Sequence, residues 1–386
     1  MENRKNPAPR IIFFIILIAV AGVYLYMDKS EASLAQGSFV FAETETKFPI
    51  SFEDRASVYS NGNKFFYLST KDGVKYVSSA GAIKWDKVYS MIEPVLKGRG
   101  EYAAVCDNRG YVFYFLGPAG VIYEKKYDAP IIFFTVGARG DAGIILQEEE
   151  NYRFIIIDAS GETIFEYVYV EDNIMPVSLD ISGDGRLVAV SFLDINNIRF
   201  GSKIGFMYTS VEGKNYSKSI IAGIECEDIF IACVYFGEGN RLLYLSDAEL
   251  ACIDVEAKNG PEIIWKKSLS YKISAFAPGE KYFAVSYAEG LNANGPEYEG
   301  LVEIFTYDGR AAGSYDFADL VVYISSAADN FIVTDGKNAA AINSKGSLIW
   351  EYAALSEIKK FVFADGINAV ALQSNTVVSV LRRVKA

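Results

Sequence analysis

The stretch DISGDGRLVAVS, residues 180–191, opens with three oxygen donors at alternate positions, Asp180, Ser182 and Asp184. That is how a calcium loop begins. Such a loop also needs a bidentate glutamate at its twelfth position, and Ser191 stands there instead. The stretch therefore reads as a turn between repeat units. The chain contains no histidine, which excludes histidine general acid–base catalysis, Ser-His-Asp and Cys-His nucleophiles and histidine-ligated metals. No GxSxG elbow and no phosphate-cradling glycine loop occurs. Paired carboxylates can work without histidine, but no spacing singles out a pair here. One NYS sequon sits at Asn215 and reads as a chance match.

Cys106, Cys226, Cys233 and Cys252 form no CxxC and read as small buried apolar residues in strands. A Cys226–Cys233 disulfide, suited to an oxidising compartment, is left open. With 37 basic and 49 acidic residues the net charge is −12. Without a basic block, nucleic acid is excluded as a partner.

The elements that would position any site are strands. Tyr and Phe number 26 each, Gly 32 and Pro 10, a balance that favours an all-β chain. Short apolar runs recur: KFFYLST from Lys64, EYAAVCD from Glu101, DAGIILQ from Asp141, RLVAVSF from Arg186, RLLYLSD from Arg241, KYFAVSY from Lys281, NFIVTDG from Asn330 and NAVALQS from Asn368. Several are entered through glycine turns, SNGNK, SGDGR, GEGNR and APGEK. Later in each unit a glycine precedes an aromatic, as in Gly81/Trp85, Gly120/Tyr123, Gly161/Phe165, Gly213/Tyr216, Gly260/Trp265, Gly309/Tyr315 and Gly346/Trp350. This predicts a hairpin followed by a strand whose ring packs between neighbouring sheets. Unit starts lie 37 to 55 residues apart, the length of a four-stranded propeller blade.

The sequence predicts a single β-propeller of eight four-stranded blades, with seven as the alternative count. The unit from Asn368 has two strands left, NAVALQS and TVVSVLRR, and lacks its glycine–aromatic strand. The N-terminal GSFVFAET, with Gly37 and Phe41, supplies it. ASVYSNGNK then reads as the outer strand leading into the first unit. The two ends would share one blade and close the ring, removing exposed sheet edges.

The hairpin NSKGSLIWEY, residues 343–352, resembles quinoprotein-type (PQQ-like) propeller repeats, and ISGDGRLVAVS, residues 181–191, is similar to the WD40-like repeats of bacterial periplasmic propellers. The former group includes quinone-dependent alcohol dehydrogenases and a lipoprotein subunit of outer-membrane protein assembly. The resemblance covers residues 38–386 as repeat grammar and implies fold more than function. Quinone dehydrogenases of this fold hold calcium and quinone on the axis, some beside vicinal cysteines. This chain has no such cysteines and no acidic-plus-basic set at equivalent positions of several blades. No cofactor and no metal is expected.

Residues 1–10 carry Arg4, Lys5 and Arg10, and residues 11–27 are apolar and uncharged. This predicts a signal-anchor helix with the N-terminus in the cytoplasm, a linker over 28–37 and an extracytoplasmic propeller over 38–386. The alternative is cleavage after Ala35. The expected location is a bacterial cytoplasmic membrane, crossed once, with the propeller in the periplasm or outside.

Three turns swell, all read as joining the first two strands of a blade: EEENY (148–152), LDINNIRFGSK (193–203) and GLNANGPEYEG (290–300). Equivalent turns lie on one rim, and variable loops on a rigid scaffold are where binding resides. Glu149, Asn196, Arg199, Phe200, Asn294, Glu297 and Tyr298 are the candidate partner-binding residues. The function expected is a non-enzymatic scaffold for an envelope or membrane protein. The alternatives are a glycan or small-ligand binding propeller and, third, a carboxylate-dependent enzyme.

Overall fold

The computed structural model describes residues 39–385, except 172, 196–199, 210–219 and 291–299. The predicted anchor and linker, the sequon and Gly213/Tyr216 lie outside the described residues. Among the described residues no helix is long and apolar enough to cross a membrane. Residues 43–382 form one compact unit.

Eight antiparallel sheets of four strands follow one another along the chain. They span residues 57–88, 94–126, 131–169, 174–227, 231–268, 271–316, 323–353 and, for the eighth, 360–385 together with 39–49. We number them blades 1 to 8. The protein is an eight-bladed β-propeller, and the count of seven is set aside. In blade 8 the order runs from Lys360–Asp365 through Ala369–Gln373 and Val377–Lys385 to Phe39–Pro49. The N-terminal strand thus takes the fourth place in the last sheet, where the glycine–aromatic strand was missing.

First strands of neighbouring blades adjoin one another around the axis at seven of the eight junctions, the one between blades 5 and 6 being set apart. Second strands are buried on both sides, as in Phe65–Thr70 and Tyr102–Asp107, because a neighbouring sheet covers each face. This is why they read as unbroken apolar runs. Separate apolar clusters fill the gaps between blades. Phe113, Phe115 and Phe134 lie between blades 2 and 3, and Leu187, Phe206, Phe236 and Tyr244 between blades 4 and 5. Phe48, Val58, Phe66 and Val380 join blade 8 to blade 1. A buried Phe contributes about 2–3 kcal/mol by removal of apolar surface from water.

The glycine–aromatic pairing does pack between sheets. Trp265, on the fourth strand of blade 5, lies under Gly309 in the turn between the third and fourth strands of blade 6. A Cβ on Gly309 would stand 2.0 Å from the indole, and its φ is +83°. Tyr123 of blade 2 meets Gly161 of blade 3 in the same way, and Trp85 Nε1 of blade 1 donates to Pro118 O of blade 2 at 3.2 Å. Each ring therefore keys its blade to the next one.

The sequence reading was one strand out of phase. The quoted apolar runs are second strands, each preceded by a first strand at the axis. Ser57–Tyr59, read as an outer strand, is the first strand of blade 1. The Asp180–Asp184 turn joins two strands within blade 4, Ile174–Ile181 and Leu187–Asp194, so it is not a turn between units. The enlarged turns join second to third strands, at equivalent places in blades 3, 4 and 6. All four cysteines are free thiols, with Cys106 and Cys252 buried.

Candidate functional site

Two regions bring chemistry-bearing side chains together: the axis and one face of the sheets. On the axis, Arg99 ends the first strand of blade 2 and spans to blades 4 and 5. Its Nη1 donates to both Asp180 oxygens at 3.2 and 3.1 Å and to Ile181 O at 3.1 Å, and its Nη2 donates to Phe236 O. Asp180 also accepts from Thr135 Oγ1 at 3.1 Å and Phe236 N at 2.6 Å. The guanidinium lies 4.5 Å from the centroid of Tyr235, whose ring stacks with Tyr307 at 6.3 Å. The side chains of Arg99 and Asp180 are 15% and 4% exposed. Burial opposes the charge on Arg99, but Asp180 outweighs it and holds the guanidinium above its usual pKa. Both Nη atoms of Arg99 are used within the protein. The arrangement is a lock across blades 2, 4 and 5.

Two axial amines lack a carboxylate in ion-pair range among the described residues. Lys97 Nζ lies 3.6 Å from the Phe133 ring centroid and donates to Phe134 O at 2.9 Å. Burial pushes its pKa down to about 8, against smaller upward effects of Cys233, Cys106 and Asp180. Lys360 Nζ donates to Ser57 Oγ at 2.7 Å, and burial lowers its pKa too.

The second region follows from strand direction. In antiparallel sheets the turns between second and third strands fall at the same end as the connections from one blade to the next. We term that end the loop face. Every exposed large apolar side chain that lies in a described loop lies on it, including Phe52, Ile92, Val170, Phe200, Val322 and Leu355. Among the described residues none lies in a turn on the opposite face. Exposure reaches 86% at Ile92 and 107% at Leu355, where apolar contact with water is least favourable. Between blades 7 and 8 this face opens into a cleft of about 630 Å³ lined by Val322, Tyr323, Leu355 and Ile358, with Asp335 and Lys337 at its edge.

Of the residues singled out from sequence, Glu149 stands exposed in the turn of blade 3, and Phe200 is 44% exposed beside the first residue of Gly201–Tyr208. Both are on the loop face. Asn196, Arg199, Asn294, Glu297 and Tyr298 lie outside the described residues. Sequence reasoning missed Ile92, Val322 and Leu355. The signal was there: YSMIE, DLVV and AALSE each carry a large apolar residue in a loop with no strand partner.

The sequence matches the family of unknown function DUF5711 over residues 38–382, and the chain belongs to that family. No match was found among curated proteins. Among solved structures the chain is similar to BamB from Moraxella catarrhalis, with 13% identity and a TM-score of 0.51, covering 89% of this chain and all (100%) of that one. It is also similar to Sqt1 from Saccharomyces cerevisiae, with 10% identity and a TM-score of 0.61, covering 90% of this chain and 100% of that one. At these identities the likeness is one of propeller fold.

Proposed function

We propose that this member of the DUF5711 family is a non-catalytic β-propeller that holds a partner protein on its loop face, working at a bacterial cell envelope. The observation that carries the reading is the confinement of exposed loop apolar residues to one face. A propeller that merely tolerated stray apolar residues would scatter them over both faces. The apolar run over residues 11–27 supports a single anchor with the propeller outside the cytoplasm. The strand order of blade 8 supports ring closure by the two ends of the chain.

The test is chemical crosslinking in the native cells on the tagged full-length chain, with the triple variant Ile92→Ser, Val322→Ser, Leu355→Ser beside it. The expected result is one dominant envelope protein whose recovery drops about tenfold in the variant, roughly 1.4 kcal/mol, while thermal unfolding is unchanged. Equal recovery from both chains sinks the reading. Protease accessibility in intact and permeabilised cells tests the location: cleavage of the propeller only after cytoplasmic lysis would remove the envelope from the proposal.

One observation favours a glycan reading. Between blades 1 and 2 a groove of about 210 Å³ is lined by Tyr59, Phe65, Tyr67 and Tyr76, with Asn63 and Glu101 at its edge. Rings beside amide and carboxyl groups suit a sugar. Most of these rings already pack on one another, Phe65 on Tyr76 at 4.8 Å and Tyr76 on Trp85 at 5.7 Å, so the loop face is the stronger candidate. A thermal shift of the full chain by a monosaccharide panel, lost in Tyr76→Ala, would reverse that order.

A further inference from the structure

The groove between blades 1 and 2 has walls of opposite charge. It opens on the face opposite the loop face, among the turn at residues 60–64 of blade 1 and the turns of blade 2 that hold Gly100, Glu101 and Pro118. Lys64 and Lys84 stand on the blade 1 wall and Glu101 on the blade 2 wall, all three exposed. None of the three has an ion-pair partner among the described residues, whereas Lys87, on the same strand as Lys84, pairs with Glu124 at 3.5 Å. Lys84 is placed by rings instead. Its Nζ lies 5.1 Å from the centroid of Phe65 and 5.8 Å from that of Tyr76. Contact of this kind holds an ammonium without neutralising it. On the other wall, the Glu101 carboxylate raises the pKa of the Tyr67 and Tyr76 phenols, after the larger effect of burial. Both rings line the groove, so the carboxylate lies on the groove side of its turn.

The two walls are tied to each other. Tyr59 Oη donates to Gly100 O at 2.9 Å, Tyr67 Oη to Glu101 O at 2.8 Å and Trp85 Nε1 to Pro118 O at 3.2 Å. Three donors of blade 1 thus hold the turns of blade 2, so the site is preformed and binding has little left to order. Tyr59 and Phe65 are half-buried and give the groove its open ring surface. At about 210 Å³ the groove takes one residue-sized molecule. A helix of a partner protein, about 10 Å across with its side chains, does not fit.

We infer that this groove binds a small zwitterion with an apolar body, a free α-amino acid. Its carboxylate turns to Lys64 and Lys84, its ammonium to Glu101, and its side chain lies on the rings. Charged hydrogen bonds on both walls fix the orientation, and the rings supply the apolar contact. Glu101 opposes a simple anion and the two lysines oppose a simple cation. A neutral sugar leaves all three charges unanswered. The groove lies on the other face from the proposed docking surface, so either site can fail without the other.

The experiment is titration calorimetry of the full chain with leucine, methionine and phenylalanine. The amide of each amino acid lacks the carboxylate, the N-acetyl form lacks the ammonium, and glucose lacks both. The expected result is binding of at least one of the amino acids, with its amide and its N-acetyl form each weaker by about tenfold or more, the loss of a charged hydrogen bond. Glu101→Gln should erase the advantage over the N-acetyl form. The double variant Lys64→Gln, Lys84→Gln should erase the advantage over the amide. Both variants should keep the thermal unfolding of the parent, since none of these side chains is ion-paired within the protein; the comparison of ligands on the parent chain stands by itself should a variant unfold. No binding of any of the three amino acids, equal binding of the amide and N-acetyl forms, or affinities unchanged in both folded variants overturns the inference. Glucose bound in their place overturns it as well and gives the groove to a sugar.

Discussion

Arg99 shows how one residue can hold a ring. Its two Nη atoms bond across the axis to blades 4 and 5 while its own strand belongs to blade 2. Removing one member of such a buried pair strands the other charge, which costs about 3–5 kcal/mol. Asp180→Ala should lower stability by about that much, and Arg99→Met by a similar amount. The double variant Arg99→Met, Asp180→Leu should lose clearly less than the sum, because no charge is left unpaired. Urea unfolding of the four chains reads this directly, and strict additivity would show that the pair is not a lock. Lys97 gives a pH signature. Its folded pKa of about 8 lies below its usual 10.5, so between those values the unfolded chain binds the extra proton. Stability should therefore rise with pH from about 8 to about 10.5 relative to Lys97→Met, and below pH 8 the difference between the two chains should be flat. A lysine resonance titrating near pH 8, absent in Lys97→Met, would tie the effect to this amine.

At the scale of the element, two blade junctions share a device, a ring from one blade under a glycine turn of the next, Trp265 under Gly309 and Tyr123 under Gly161. Gly309 and Gly239 separate its two physical ingredients. Both have positive φ, +83° and +69°, but only Gly309 faces a neighbour, the Trp265 indole, while nothing lies within 4 Å of a Cβ on Gly239. Gly239→Ala should cost about 1–2 kcal/mol from backbone strain alone. Gly309→Ala should cost at least about 1 kcal/mol more, since the ring must shift, and thermal unfolding of the two variants measures the difference. The packing of these rings between sheets was legible in the sequence because a glycine followed by an aromatic recurs in each unit. The glycine each ring meets belongs to the next blade, as Trp265 meets Gly309 and not Gly260, and that partner was not read. Second strands were legible for a related reason: burial on both faces writes an unbroken apolar run. First strands were not. Ser57–Tyr59 is three residues long and YISSA in blade 7 is half polar, since one side of each faces the axis. Their absence from the pattern displaced the reading by one strand. The axial lock was illegible because Arg99 and Asp180 stand 81 residues apart and nothing in a linear pattern joins them. The loop-face apolar residues were visible singly, but assigning them to one face needed the strand directions.

For the whole molecule, the question is whether eight sheets behave as an array or as a ring. In a linear repeat array each unit leans only on its neighbours, and damage stays local. Here the eighth sheet takes its fourth strand from the other end of the chain, and its core residues mix with those of blade 1. Phe48, 8% exposed, packs with Val58, Phe66, Val378 and Val380. Ile50 N donates to Thr376 O at 2.9 Å, and Gln373 Nε2 donates to Ala56 O at 2.7 Å. Phe48→Ala removes a ring from this junction, a change that costs about 3–5 kcal/mol in a packed core. If the junction closes a ring, blades cannot open independently, and the loss should lower amide-exchange protection in blades 4 and 5, on the far side, as much as in blades 8 and 1. If the sheets behave as an array, only blades 8 and 1 lose protection and the far blades exchange as in the parent chain. The two outcomes differ by about 3 kcal/mol of protection in blade 4, a roughly hundredfold change in exchange rate. The same measurement bears on the docking face: a rigid ring presents Ile92 of the connection before blade 2 and Leu355 of the connection before blade 8 at a fixed separation, which a partner segment touching both requires.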